Sequence, residues 1–288
     1  MDNLIVQVIN GISYGFLLFI ITCGLSLIFG IMGVLNLAHG SLYMIAAYLA
    51  FSITHSLTAS FWLALVVTPV VVALISILLE FTLLRPTYHL GHLAQVLLTL
   101  GVAYVFHDLA TWIWGTNVLS ITVPPLLAGS VEILGQSFPV YRLAIILFGV
   151  IMALVLWLLL DKTRWGAIIR AGLSDQEMIT GLGVNIKLVF TVIFFIGAFM
   201  AGLGGVIAAP VLGIYPGMDF EILILALVVL VIGGLGSISG SLLAGLIVGV
   251  VETLGKVFFP QLAMFIIFVL MALVLLFRPQ GLLGKKVH

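Results

Sequence analysis

The chain has 288 residues, of which 64% are hydrophobic and 7% charged, and a mean hydropathy of +1.41; that much apolar surface excludes a single water-soluble core and implies a polytopic membrane protein. Ten Lys+Arg balance ten Asp+Glu, so there is no global basic field to attract nucleic acid. The single cysteine, Cys23, excludes an internal disulfide or a cysteine metal cluster and reads as a small packing residue.

The opening MDNLIVQVINGISYGFLLF lacks a positive n-region and a small-residue cleavage site, so it reads as a retained span rather than a removed signal peptide. Apolar stretches follow at roughly 4–29, 31–54, 61–84, 93–114, 141–160, 188–212, 221–233, 241–258 and 262–277. The expected fold is therefore all-α, with about nine transmembrane segments (eight to ten), some of them broken, in a single transmembrane domain over 1–288. Lys and Arg stay cytoplasmic near span ends. Placing Arg85, Lys162, Arg164, Arg170, Lys187, Arg278, Lys285 and Lys286 on that side leaves only Arg142 and Lys256 outside. The C-terminus is then cytoplasmic and the N-terminus external.

Two polar connections are long enough to hold structure. Residues 115–140 carry Val/Ile/Thr runs broken by Pro124-Pro125, Gly129 and Gly135-Gln136, which predicts a short external hairpin. Residues 161–187 form the cytoplasmic loop. Its Lys162, Arg164 and Arg170 serve the orientation rule, but Ser174 followed by Glu177 spells a capping box, and Gly183 suits a helix end. A helix of about two turns is unstable alone in water. Its apolar residues Met178, Ile179 and Leu182 share a face, which must lie back on the membrane domain or dock on a partner.

Glycine spacing is duplicated. Gly30-x-x-Gly33 followed by Gly40-Ser41-Leu42 recurs as Gly233-x-x-Gly236 followed by Gly240-Ser241-Leu242. Glycine-interrupted apolar segments in two halves point to broken helices along a transport path, since unwound backbone is tolerated only against protein or a water-filled cavity. The candidate path residues are Asn36, His39, Gly40, Ser41, Gly236, Ser237, Gly240 and Ser241. His39 either contacts substrate or satisfies backbone groups freed by the break. Close helix packing is the alternative for most single glycines, as in the G-x-x-x-G at Gly245 and Gly249.

Other polar residues at depth give no single stripe: Asn10, Ser13 and Tyr14 share a face, while Thr22 and Ser26 fall away from it. Glu252 with Lys256, and Glu80 with Arg85, read as structural pairs. A cation-coupled carrier needs embedded acids, and these sit mostly at segment ends, with Asp108 beside His107 the exception. An intramembrane enzyme around His39 and Ser41 lacks an acidic orienter nearby in sequence and any H-E-x-x-H or G-x-S-x-G motif. Nor is there a nucleotide-binding G-x-x-x-x-G-K-[ST]: Lys256 is followed by Val257 and Lys285 by Lys286. ATP-driven transport would thus place the ATPase on another chain.

Arg170-Ala171, then Asp175, Glu177 and Gly183, resemble the coupling-helix loop of ABC importer permeases, E-A-A-x3-G, with Met178 and Ile179 in place of the two alanines. The stretch at 30–50, with Val34-Leu35-Asn36, Ala38-His39-Gly40, Leu42, Met44, Ala47 and Tyr48, resembles the signature of branched-chain amino acid permeases. Residues 233–252 and the terminal FRPQGLLG are similar to further segments of that family. The chain is most similar to the smaller permease subunit, without a fused ATPase domain. That resemblance implies no catalysis, metal or cofactor on this chain. It implies ATP and Mg on two ABC ATPase partners, a second homologous permease, an extracytoplasmic binding protein and a place in the bacterial cytoplasmic membrane. The ATPase-coupling residues it implies are Arg170, Ala171, Ser174, Asp175, Glu177, Met178 and Gly183. Leucine, isoleucine or valine would be the substrate, with another amino acid, urea or a short amide as the alternative cargo.

Overall fold

A computed structural model of the chain describes residues 2–56, 60–133, 135–174 and 176–284. It is built almost wholly of helices: α1 (Asp2–Met32), α2 (His39–Ser56), α3 (Phe61–Leu79), α4 (His92–Trp114), α5 (Val140–Lys162), α6 (Arg164–Ser174), α7 (Gln176–Gly181), α8 (Ile186–Leu212), α9 (Met218–Gly233), α10 (Ile238–Phe258) and α11 (Ala263–Phe277). Each of the nine apolar stretches contains a helix. Six of these, α1, α3 with its extension to Thr87, α4, α5, α8 and α10, are long and apolar enough to cross a membrane. The others are shorter, at 18 residues for α2, 16 for α9 and 15 for α11. Between α4 and α5, β1 (Ser130–Ile133) pairs antiparallel with β2 (Gln136–Pro139).

α1 and α8 form the centre, and their shares of buried residues far exceed those of α4 and α5. Burial there rests on small residues. Gly11 and Gly15 of α1 face Gly245 and Gly249 of α10 so closely that a Cβ on Gly249 would lie 2.4 Å from the Gly15 nitrogen. In lipid, where apolar side chains gain little by leaving hydrocarbon, such close backbone approach is a principal source of helix association. The Gly245/Gly249 pattern thus serves packing, and its partner Gly11/Gly15 becomes visible only in the pairing.

The bundle contains two units of opposite direction. α1 packs on α10 as α8 packs on α3; α2 touches α3 and α4 as α9 touches α10 and α11. Each unit starts with a long helix ended by a left-handed glycine, Gly33 (φ 67°) or Gly213 (φ 77°). An irregular link then leads into a short helix, α2 or α9. The architectural counterpart of the α1–α2 break is therefore the α8–α9 link. The repeated glycine spelling falls instead at the α9–α10 turn.

Candidate functional site

α2 begins inside the bundle. His39 Nε2 lies 2.9 Å from the Ile21 carbonyl, about three turns before α1 ends. Leu37 N donates to Thr99 Oγ1 (3.2 Å), Ser41 Oγ lies 3.4 Å from Ala103 O, and Trp114 Nε1 donates to Ser52 Oγ (2.8 Å). These contacts set α2 alongside the second half of α4, so the link 33–38 runs back into the interior after α1 has ended. Asn36 shapes the link, its Oδ1 accepting from Ala38 N (3.1 Å). Because a carbonyl only accepts, the His39 proton sits on Nε2. The ring's Nδ1 is buried without a partner among the described residues.

α9 begins at the same interior point and leaves in the other direction. Gly40 lies so near it that a Cβ there would stand 2.2 Å from the Asp219 carbonyl oxygen. The Asp219 side chain, 1% exposed, accepts from Ser41 Oγ (3.2 Å) and lies 3.3 Å from His107 Nδ1. Its position in the first turn of α9 adds the favourable end of the helix dipole. A buried carboxylate without such partners would be costly. Three elements, α2, α4 and α9, therefore converge on one acid.

The eight candidate path residues divide into two places. Asn36, His39, Gly40 and Ser41 share the interior junction. Gly236, Ser237, Gly240 and Ser241 form the α9–α10 turn, where Gly240 N donates to Ser237 Oγ (3.1 Å) and Ser241 Oγ to Ser237 O (3.0 Å). The terminal FRPQGLLG folds onto this turn: Leu282 N and Leu283 N donate to the carbonyls of Ile232 and Gly233 (2.8 and 3.0 Å), which end α9. Asp219 is not among the residues that the sequence singles out, and His107 enters there only as the neighbour of Asp108. The available signal was Tyr215-Pro216-Gly217 followed by an acid, a helix-start pattern.

In the loop 161–187 the chain forms two helices, α6 and the six-residue α7. Arg170 turns toward α5, its Nη1 3.2 Å from Asp161 Oδ1, and Ala171 is exposed. Ser174 ends α6, and Gly183 adopts φ 84° after α7. Asp175 lies outside the described residues, as do the side chains of Ser174 and Glu177, and with them the proposed capping box. Met178 and Leu182 are 64% and 73% exposed; the Ile179 side chain lies outside the described residues.

Close by, α8 is clasped to the end of α3. Glu80, fully buried at the start of a π-helical turn, binds Arg85 through both carboxylate oxygens (3.2 Å each) and accepts from Tyr88 Oη (2.7 Å) and Thr191 Oγ1 (2.9 Å). Burial, then the bond to Glu80, raises the Tyr88 phenol well above its usual range, so it stays a donor. The Glu252–Lys256 pair (2.6 Å) likewise joins neighbouring turns of α10. Both are structural ion pairs.

The family profile described as "Branched-chain amino acid transport system / permease component" matches residues 7–275. The high-affinity branched-chain amino acid transport system permease protein BraD of Pseudomonas aeruginosa is 31% identical, covering 97% of this chain and 95% of its own length. The corresponding LivH of Escherichia coli K12 is 28% identical over the same shares, and LivM of that strain is 27% identical over 92% of this chain and 67% of its own. No solved structure matches. With a profile spanning nearly its whole length and relatives covered end to end, the chain belongs to the branched-chain amino acid transport permease family.

Proposed function

We propose that this chain is the membrane-spanning permease subunit of an ATP-binding-cassette importer that moves leucine, isoleucine and valine across the bacterial cytoplasmic membrane. Its relatives are named as permease proteins of branched-chain amino acid transport systems, and what this subunit supplies is a path rather than a reaction. In this reading all nine apolar helices lie in the membrane, the N-terminus and the 115–140 hairpin are external, and the C-terminus is cytoplasmic. An external binding protein delivers the amino acid, a second related permease completes the path, and two ATPase subunits hold ATP and Mg.

The observation that carries the coupling role is the exposure of Met178 in the six-residue α7 and of Leu182 in the turn just after it. So short a helix needs a partner to be stable, and an ATPase cleft would supply one. ATP-driven closure would then shift α6 and α7. Because α8 follows directly and is clasped to α3 by Glu80 and Arg85, the shift would reach the interior junction of α2 and α9 and rock the path between outward and inward access.

The Asp219–His107 pair is the feature that would suit a cation-coupled carrier instead. Proteoliposomes holding the assembled complex decide between the two. ATP-dependent uptake of radiolabelled leucine that is indifferent to proton and sodium gradients supports the importer. Uptake by this chain alone, driven by a cation gradient, overturns it and favours the carrier.

A further inference from the structure

A cavity of about 950 Å³ opens between the inner parts of α1 and α5, the helix α6 and the α9–α10 turn. It lies at the upper end of the ~300–1,000 Å³ typical of small-ligand sites. Three kinds of chemistry meet in its wall. Much of it is apolar, with Phe29, Trp157 and Leu242 among the contributors. The opposed charges of Asp161 and Arg170 stand beside each other 3.2 Å apart. Ser237, Ile238 and Ser239, the cap and first turn of α10, bring the partly positive end of that helix to the same space.

A fourth observation concerns Ser26. It lies in the α1 wall, fully buried, and its hydroxyl has no hydrogen-bond partner among the described residues. An unmet buried hydroxyl costs about 1–3 kcal/mol. A polar ligand group can offset that cost; a hydrocarbon chain cannot.

We propose that this cavity holds one zwitterionic aliphatic amino acid on the α6 side of the path. The inference rests on the importer reading and adds a place within it. The carboxylate meets Arg170 and the start of α10, the ammonium meets Asp161, and the branched side chain lies on the apolar wall by Phe29 and Trp157. Ser26 offers the head group a hydrogen bond further in. A phospholipid acyl chain would cover the apolar wall but leave the Ser26 hydroxyl without a hydrogen bond. Since α6 supplies both Ile169 and Arg170 to the wall, movement of the 161–187 loop would reshape the site and release its occupant.

The test uses the assembled transporter in proteoliposomes. Ser239, exposed in the cavity wall, is replaced by cysteine in a Cys23→Ala background, and labelling by a small thiol reagent is followed with and without L-leucine. The site predicts labelling that leucine slows by about fivefold or more and glucose does not. In a second variant, Ala153→Trp fills the α5 side of the cavity and lowers leucine uptake by about tenfold. Labelling indifferent to leucine, or a Ser239→Cys thiol that never reacts, overturns the proposal. So does labelling of the detergent-solubilised complex that phospholipid slows and leucine does not, which would mark a lipid groove. If the unmodified complex imports leucine while these variants fail the test, only this site is wrong; if the unmodified complex imports no aliphatic amino acid, the importer reading itself falls.

Discussion

The α1–α2 link and the α9–α10 turn carry the same G-x-x-G and Gly-Ser-Leu elements but are held in different ways. The link at 33–38 is fixed by groups far away in sequence: Thr99 on Leu37 N, the Ile21 carbonyl on His39, and Asp219 against Gly40 and Ser41. The turn at 234–237 is fixed mainly by backbone, through Ser237 N to Gly234 O, the Ser237 cap and the two amides of the C-terminal segment. A sequence spacing can thus specify that a helix stops without specifying where the chain goes next. The first stop sends a new helix into the interior; the second reverses direction beside a cavity. The first should therefore be far more sensitive to side-chain changes.

The largest expected difference is between a glycine of the interior junction and a positive-φ glycine of the turn. Gly40→Ala would place a Cβ 2.2 Å from a backbone oxygen of α9, and backbone cannot step aside as a flexible side chain can. We expect a loss of about 3 kcal/mol or more and little folded protein by size-exclusion chromatography. Gly236→Ala meets the strain of a positive φ, 77°, about 1–2 kcal/mol. Equal yields of the two variants would break the comparison.

Polar deletions come next. His39→Leu leaves the Ile21 carbonyl without its side-chain donor and should cost about 1–3 kcal/mol, while His39→Gln, which retains a donor, recovers part of it. Ser237→Ala removes only the α10 cap, worth about 1 kcal/mol. Thermal midpoints in detergent should rank Ser237→Ala above His39→Leu, separated by a few degrees. The reverse order would mean that the interior junction does not depend on its long-range polar contacts.

Much of the helical pattern was legible because membrane spans announce themselves by composition: each apolar stretch holds a helix. The start of α9 was not. The seventh apolar stretch, 221–233, excludes Asp219; Ser41 and His107, which make its burial tolerable, are distant in sequence. α6 was missed as well, because Arg164 and Arg170 gave the segment the look of a charged loop, although Ile169 is buried against neighbouring helices. Of the candidate site, Asn36, His39, Gly40 and Ser41 were found from their spacing and polarity. That they meet Asp219 is a tertiary fact with no local signal. The helix after Ser174 could be anticipated from its short apolar face.

Central to this account is the claim that the 161–187 loop carries the motor's stroke into the bundle. The most direct measurement is substrate-stimulated ATP hydrolysis by the reconstituted complex carrying Glu177→Lys or a deletion of Asp175 to Leu182. The account predicts a complex that inserts and hydrolyses ATP at its unstimulated rate but no longer responds to loaded binding protein. Full stimulation in both variants would contradict it.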